Sequence, residues 1–144
     1  MAFCDTFVAW LSSERTNRLP ILYSFRLQDA SEYARLEEAF LSYLATPRET
    51  SLSNCRLNHP EEADALYVGT SRTSLRKRIS EHLGRTGSRA TAALRLRDWA
   101  AGSTATVNFT AWVFQPELTP IELEALEQQL WDELHPLLGK RSGR

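Results

Sequence analysis

The residue hardest to explain by packing is a carboxylate. On a helical wheel at about 100° per residue, Leu123, Leu126, Leu130, Leu134 and Leu137 form one apolar stripe, and Glu127 lies inside it. Glu122, Glu124, Asp132 and Glu133 project to the sides or back, as solvated acids should. An unpaired carboxylate on the buried stripe costs several kcal/mol or is driven to protonate, so Glu127 calls for a cation or a strong donor. A metal ion and an internal arginine partner both satisfy that demand.

A second group has its own spacing. Arg78 and His82 stand four apart and share a helix face that adjoins Leu75 and Ile79. Tyr67 closes a short apolar run, Ala65-Leu66-Tyr67-Val68-Gly69, just upstream. A tyrosine at a strand end, an arginine and histidine on one face, and an inward glutamate are the parts of an acid–base site around an anion.

The elements that must position them can be read from pattern. Pro20 leads into a strand in which Ile21, Tyr23, Phe25 and Leu27 share one face by alternation. Asp29 and Glu32 start a helix with Tyr33, Leu36, Phe40, Tyr43 and Leu44 on one side, ending before Pro47. The stretch from Arg48 to Asp64 has no period and reads as loop. Strand two, Ala65 to Gly69, is followed by a polar turn, Thr70 to Ser74, then a helix from Leu75 to Leu83 stopped by Gly84. Arg89 to Ala100 reads as a further helix and Thr106 to Phe114 as a third strand. Thr119-Pro120-Ile121-Glu122 combines a threonine cap, a proline at the first helical position and a capping-box glutamate, so the last helix begins there. A short amphipathic helix over Asp5 to Glu14 precedes all of this. The order βα, βαα, βα predicts one small sheet covered by helices.

Charge sorts along the chain although the formal net charge is only -1. Gln28 to Asp64 is acidic. From Thr70 to Arg97 eight cations, Arg72, Arg76, Lys77, Arg78, Arg85, Arg89, Arg95 and Arg97, face Glu81 alone, a net +7. Such a field is the footprint of a protein that meets a polyanion. At 144 residues the chain fits one domain. Cys4 and Cys55 have no metal-binding or disulfide spacing and read as reduced thiols. No apolar run is long enough to span a bilayer and no signal peptide is evident, so a cytoplasmic protein with no membrane partner is expected.

Leu66-Tyr67-Val68-Gly69, followed by Leu75-Arg76-Lys77-Arg78-Ile79-Ser80-Glu81-His82-Leu83, resembles the second signature and adjoining helix of the GIY-YIG nucleases. Glu127, nine residues before Pro136, falls where that family carries its metal-binding glutamate, and Ile21-Leu22-Tyr23 resembles the first signature. Three features depart from the family pattern. Ile21 stands in place of its glycine, about forty residues separate the two tyrosines, and Gly139 stands where the family has an asparagine. The resemblance implies an α+β fold, an α/β sandwich with a three-stranded, mainly antiparallel sheet flanked by helices. Residues 1–144 are then a single nuclease domain with an N-terminal helix and a helical insertion at about 29–64.

The activity implied is hydrolysis of nucleic-acid phosphodiesters, DNA in preference to RNA, with one Mg²⁺ or Mn²⁺ on Glu127. Tyr67, with Tyr23 as alternate, activates water, and Arg78 clamps the scissile phosphate through paired N–H donors. His82 relays a proton or fixes a phosphate, while Arg72, Arg76, Lys77, Arg85 and Arg89 grip the backbone. A homodimer or a partner protein would supply target choice. The competing expectation is a catalytically inactive module of the same fold that binds nucleic acid or protein.

Overall fold

The computed structural model describes residues 18–46, 55–58, 60, 63–85 and 92–143. The helix expected over Asp5 to Glu14, together with Cys4 and Arg89, lies outside the described residues. The chain forms strand β1 (Ile21–Leu27), helix α1 (Glu32–Ala45), strand β2 (Tyr67–Ser71), helix α2 (Leu75–His82), a single-turn helix α3 (Leu96–Trp99), strand β3 (Val107–Val113) and helix α4 (Pro120–Leu134).

The three strands make one antiparallel sheet in the order β2-β1-β3, flanked by helices in an α+β arrangement. β1 is central because both of its faces are apolar enough to bury. Ile21, Tyr23, Phe25 and Leu27 point to one side, into a core shared with α1, α2 and α3. Leu22 points to the other, where Val68, Leu123 and Leu134 join it beneath α4. Tyr23 stands opposite Gly69 and Phe25 opposite Tyr67. Both sides of the sheet are therefore covered at β1 and β2, whereas Trp112 on β3 remains exposed.

Helix signals resolve as read at α2 and α4. The Ser74 hydroxyl accepts the Lys77 N–H at the start of α2, and Gly84 follows its end at φ +77°, a conformation open to glycine without penalty. Thr119 and Glu122 form a reciprocal capping box at α4. In α1, Tyr33, Leu36 and Phe40 are buried, but Leu44 is 48% exposed because the apolar stripe drifts off the core in the last turn.

Four boundaries differ from the pattern-based reading. β2 starts at Tyr67 and runs through Thr70 and Ser71, which pair with Leu22 and Ile21. Ala65 and Leu66 instead receive the N–H groups of Leu137 and Leu138 on their carbonyls. α4 ends at Leu134, with His135 in the left-handed region (φ 46°) ahead of Pro136, so Leu137 is not part of the helical stripe. Of the helix expected from Arg89 to Ala100, the described residues from 92 on are helical only over Leu96–Trp99. Arg95 adopts φ 53°, which breaks the ladder, and the Ala92 carbonyl and Leu94 N–H are bonded to side chains of β2 and α2 instead. Among the described residues no helix is long and apolar enough to cross a membrane.

Candidate active site

Tyr23 and Tyr67 meet because they project from the same face of neighbouring strands, diagonally across the β1–β2 register. Their rings stack at a centroid separation of 6.3 Å and an interplanar angle of 21°. Gly69 makes the room: a methyl group there would lie 2.7 Å from the Tyr67 ring and 2.9 Å from the Tyr23 hydroxyl. Gly139 does the same on the far edge, where a methyl would come within 2.9 Å of Tyr67 and 3.3 Å of Trp131, at φ +116°. The position that departs from the family asparagine is thus one where a side chain would collide with Tyr67.

α2 brings Arg78 and His82 to these tyrosines. His82 is fully buried, with its ring 4.6 Å from Tyr67 and 5.2 Å from Phe25 between centroids. Its Nδ1 accepts the Leu94 backbone N–H at 3.1 Å, and its Nε2 lies 2.9 Å from the Tyr23 hydroxyl. An N–H aimed at Nδ1 forces the proton of the neutral ring onto Nε2, so His82 donates to Tyr23. Burial, and then the Arg78 charge, push the His82 pKa well below its ordinary value. His82 was expected to relay a proton or fix a phosphate. With both nitrogens engaged and no exposed surface, its place suits it to holding Tyr23.

Arg78 is only 16% exposed. One guanidinium nitrogen pairs with Glu81 and the other donates to the Ala92 carbonyl at 2.9 Å, while lying 3.4 Å from the His82 Nε2. Burial opposes the cation, but the two phenols and Glu81 outweigh it, and the Arg78 pKa is raised. Glu81, 3% exposed, is the partner that the pattern-based reading treated as a lone acid in a basic run. Its i,i+3 spacing from Arg78 was the available signal.

The phenols are far from ionisation. Burial lifts Tyr23 to about 12 against the opposing pull of Arg78, and lifts Tyr67 well above 10. Tyr67 retains slight exposure (7%) and makes only a long 3.4 Å contact to the Ala92 carbonyl, whereas Tyr23 has no exposed surface.

Glu127 arrives from the other layer. Residues of β2 alternate in facing, so Thr70 points toward α4 while Tyr67 and Gly69 point toward α2. The Thr70 hydroxyl donates to Glu127 Oε2 at 3.2 Å. Burial raises the Glu127 pKa, opposed by Thr70 and by the field of Arg78. Among the described residues no ion pair joins Glu127 to a cation, and no cluster of three His, Cys, Asp or Glu could hold a metal. The oxygen groups at Glu127 are its own carboxylate and the hydroxyls of Thr70 and Ser142. That set fits an ion that keeps most of its shell as water and phosphate oxygen, as Mg²⁺ does, and not a closed protein cage.

Of the cations assigned to backbone contacts, Arg76, Lys77 and Arg85 are exposed. Arg72 is partly buried and donates to the Leu118 carbonyl at 2.6 Å, tying the turn after β2 to the approach of α4. No protein-family model, curated protein or solved structure matches the chain.

Proposed function

We propose that this chain is a divalent-metal-dependent endonuclease of the GIY-YIG kind, acting on nucleic-acid phosphodiesters, DNA before RNA. The observation that carries this reading is the convergence of Tyr23, Tyr67, Arg78 and His82, from β1, β2 and α2, into one group in which His82 bonds Tyr23, the two phenol rings stack and Arg78 lies beside them. Glu127 is near enough for its charge to be felt at both tyrosines.

In this mechanism Arg78 binds the scissile phosphate through its N–H groups, exchanging the Ala92 carbonyl for phosphoryl oxygen. Tyr67, the less enclosed phenol, faces the reactants and orients or deprotonates the attacking water. Tyr23, fixed by His82, backs Tyr67 and is the alternate base. A Mg²⁺ or Mn²⁺ held by Glu127 would supply Lewis acidity at the phosphate and a further positive charge to offset the raised phenol pKa values. Arg76, Lys77 and Arg85 lie on exposed positions from which sequence-independent phosphate contacts are made.

One observation favours a second reading, a module that binds without cutting: both phenols are held protonated, and Arg78 already spends two of its five N–H donors on Glu81 and Ala92. Incubation with supercoiled plasmid, single-stranded DNA and RNA, in Mg²⁺, Mn²⁺ or chelator, decides between them. Metal-dependent cleavage is expected. Tight binding with no cleavage of any substrate in either metal would establish the binding module.

A further inference from the structure

The chain beyond α4 is fastened back onto the molecule. Leu57 and Leu138 form an antiparallel bridge, and the Gly139 N–H donates to the Arg56 carbonyl at 2.8 Å. Arg141 grips Asp132 through two bonds of 2.8 and 2.6 Å. Beside these ties lies a half-open cavity of about 290 Å³ lined by Arg56, Asn58, Trp131, Lys140 and Arg141.

The cavity joins an aromatic wall to positive charge. Asp132 neutralises Arg141, but Arg56 and Lys140 are exposed and form no ion pair with a described residue. Trp131 is partly buried, four residues and so one helical turn, or about 6 Å, beyond Glu127 on α4. Gly139 separates the Trp131 ring from the Tyr67 ring, close to both. The cavity therefore adjoins the candidate site at a distance comparable to one nucleotide step.

We propose that this cavity is a nucleotide subsite beside the scissile phosphate, an inference that rests on the nuclease reading. A base lies against the Trp131 indole, and its phosphate meets Arg56 and Lys140. Every base has a π-face, so stacking on an indole selects no sequence. In a regular duplex both faces of each base are covered by neighbours. Only an unpaired nucleotide reaches Trp131, which makes the substrate class a single strand, or a duplex with an unpaired nucleotide next to the cleavage point.

The test measures binding in chelator, so that cleavage plays no part. Fluorescence anisotropy of a labelled oligothymidylate of about twelve nucleotides is compared with that of a duplex of the same length. Trp131→Leu is expected to weaken single-strand binding roughly ten-fold while leaving duplex binding within about two-fold, and Trp131→Phe to restore most of the loss. Arg56→Ala with Lys140→Ala should reduce the slope of log affinity against log salt by about 1.4. Unchanged single-strand affinity in Trp131→Leu, or equal losses for both forms, overturns the subsite. If Trp131→Leu loses its cooperative melt, the double variant, at exposed positions, decides on the salt slope alone. Cleavage is assayed separately with Mn²⁺. Wild-type protein that binds as stated but cuts nothing sinks the nuclease reading and leaves a nucleotide site, whereas one that cuts yet is indifferent to Trp131 overturns the subsite alone.

Discussion

His82 donates a hydrogen bond from Nε2 to the Tyr23 hydroxyl across 2.9 Å, and the Leu94 N–H on the far side of the ring fixes that direction. The pair is a clamp and not a proton relay, because a proton arriving at Nδ1 would face the Leu94 N–H. Nitrogen-detected NMR should report an Nε2–H tautomer that takes up a proton only well below the ordinary histidine range. His82→Ala, which opens a cavity and strands two polar groups, should destabilise the fold by about 2–4 kcal/mol with or without metal. A ring titrating near its ordinary value would remove the clamp. The lowered His82 pKa means that the unfolded chain takes up the proton first, so stability falls as pH drops below about 6.5.

Alkaline stability has the opposite sign. Tyr23 at about 12 and Tyr67 above 10 hold their protons longer when folded, so the unfolded chain ionises first. Stability is full below about pH 10 and is lost as pH rises toward 12. Denaturant midpoints from pH 9 to 11.5 (about half-unit steps) should fall, and Tyr23→Phe should flatten the fall. A flat wild-type profile would show that the phenols are not shielded.

Arg78 and Glu81 constitute a buried ion pair, so removal of the arginine alone confuses folding with catalysis. Arg78→Ala takes its i,i+3 cation from a carboxylate that is 3% exposed and should cost about 3–5 kcal/mol. Adding Glu81→Gln should recover at least about 1 kcal/mol. Chemical denaturation of the two variants checks this, and strictly additive effects would contradict the coupling.

Tyr67→Phe gives up only a 3.4 Å contact, so its melting temperature should match the wild type. Cleavage should fall roughly 10²–10⁴-fold with nucleic-acid affinity retained. A wild-type cleavage rate moves the role of base to Tyr23.

Glu127→Gln separates metal binding from architecture. Burial raises the Glu127 pKa, so its ionisation at neutral pH works against the fold, and glutamine should raise the melting temperature in chelator. That gain should vanish below about pH 4, where the carboxyl is protonated in both states. Cleavage and Mn²⁺ binding should be lost, the former at least about a hundred-fold. Retained cleavage would exclude Glu127 as the metal ligand.

Much of this was legible in residue order. Alternation exposed β1, the wheel separated Glu127 from its neighbouring acids, and i,i+4 spacing joined Arg78 to His82, since local periodicity reports local geometry. What stayed hidden depends on chain segments that meet only in three dimensions. Thr70 as the partner of Glu127 follows from the facing of β2, and Leu94 and Ala92 act through backbone atoms that carry no sequence signature. Over residues 92–95 the helix read from Arg89 failed for the same reason: the apolar spacing is compatible with helix, but side chains of β2 and α2 claim the carbonyl of Ala92 and the amide of Leu94. Arg56 and Lys140, far apart in sequence, come together only through the Leu57–Leu138 bridge.

In the proposed mechanism the Ala92 carbonyl is a resident competitor at Arg78. An incoming phosphate gains only the difference between a charge-assisted bond to its own oxygen and the bond it displaces. Weak anions such as chloride or a neutral carbonyl ligand offer no surplus and are turned away at equilibrium. A phosphodiester, with a full negative charge spread over two non-bridging oxygens that match two guanidinium N–H groups, does, so discrimination among anions is set in that mechanism by exchange against the protein's own backbone.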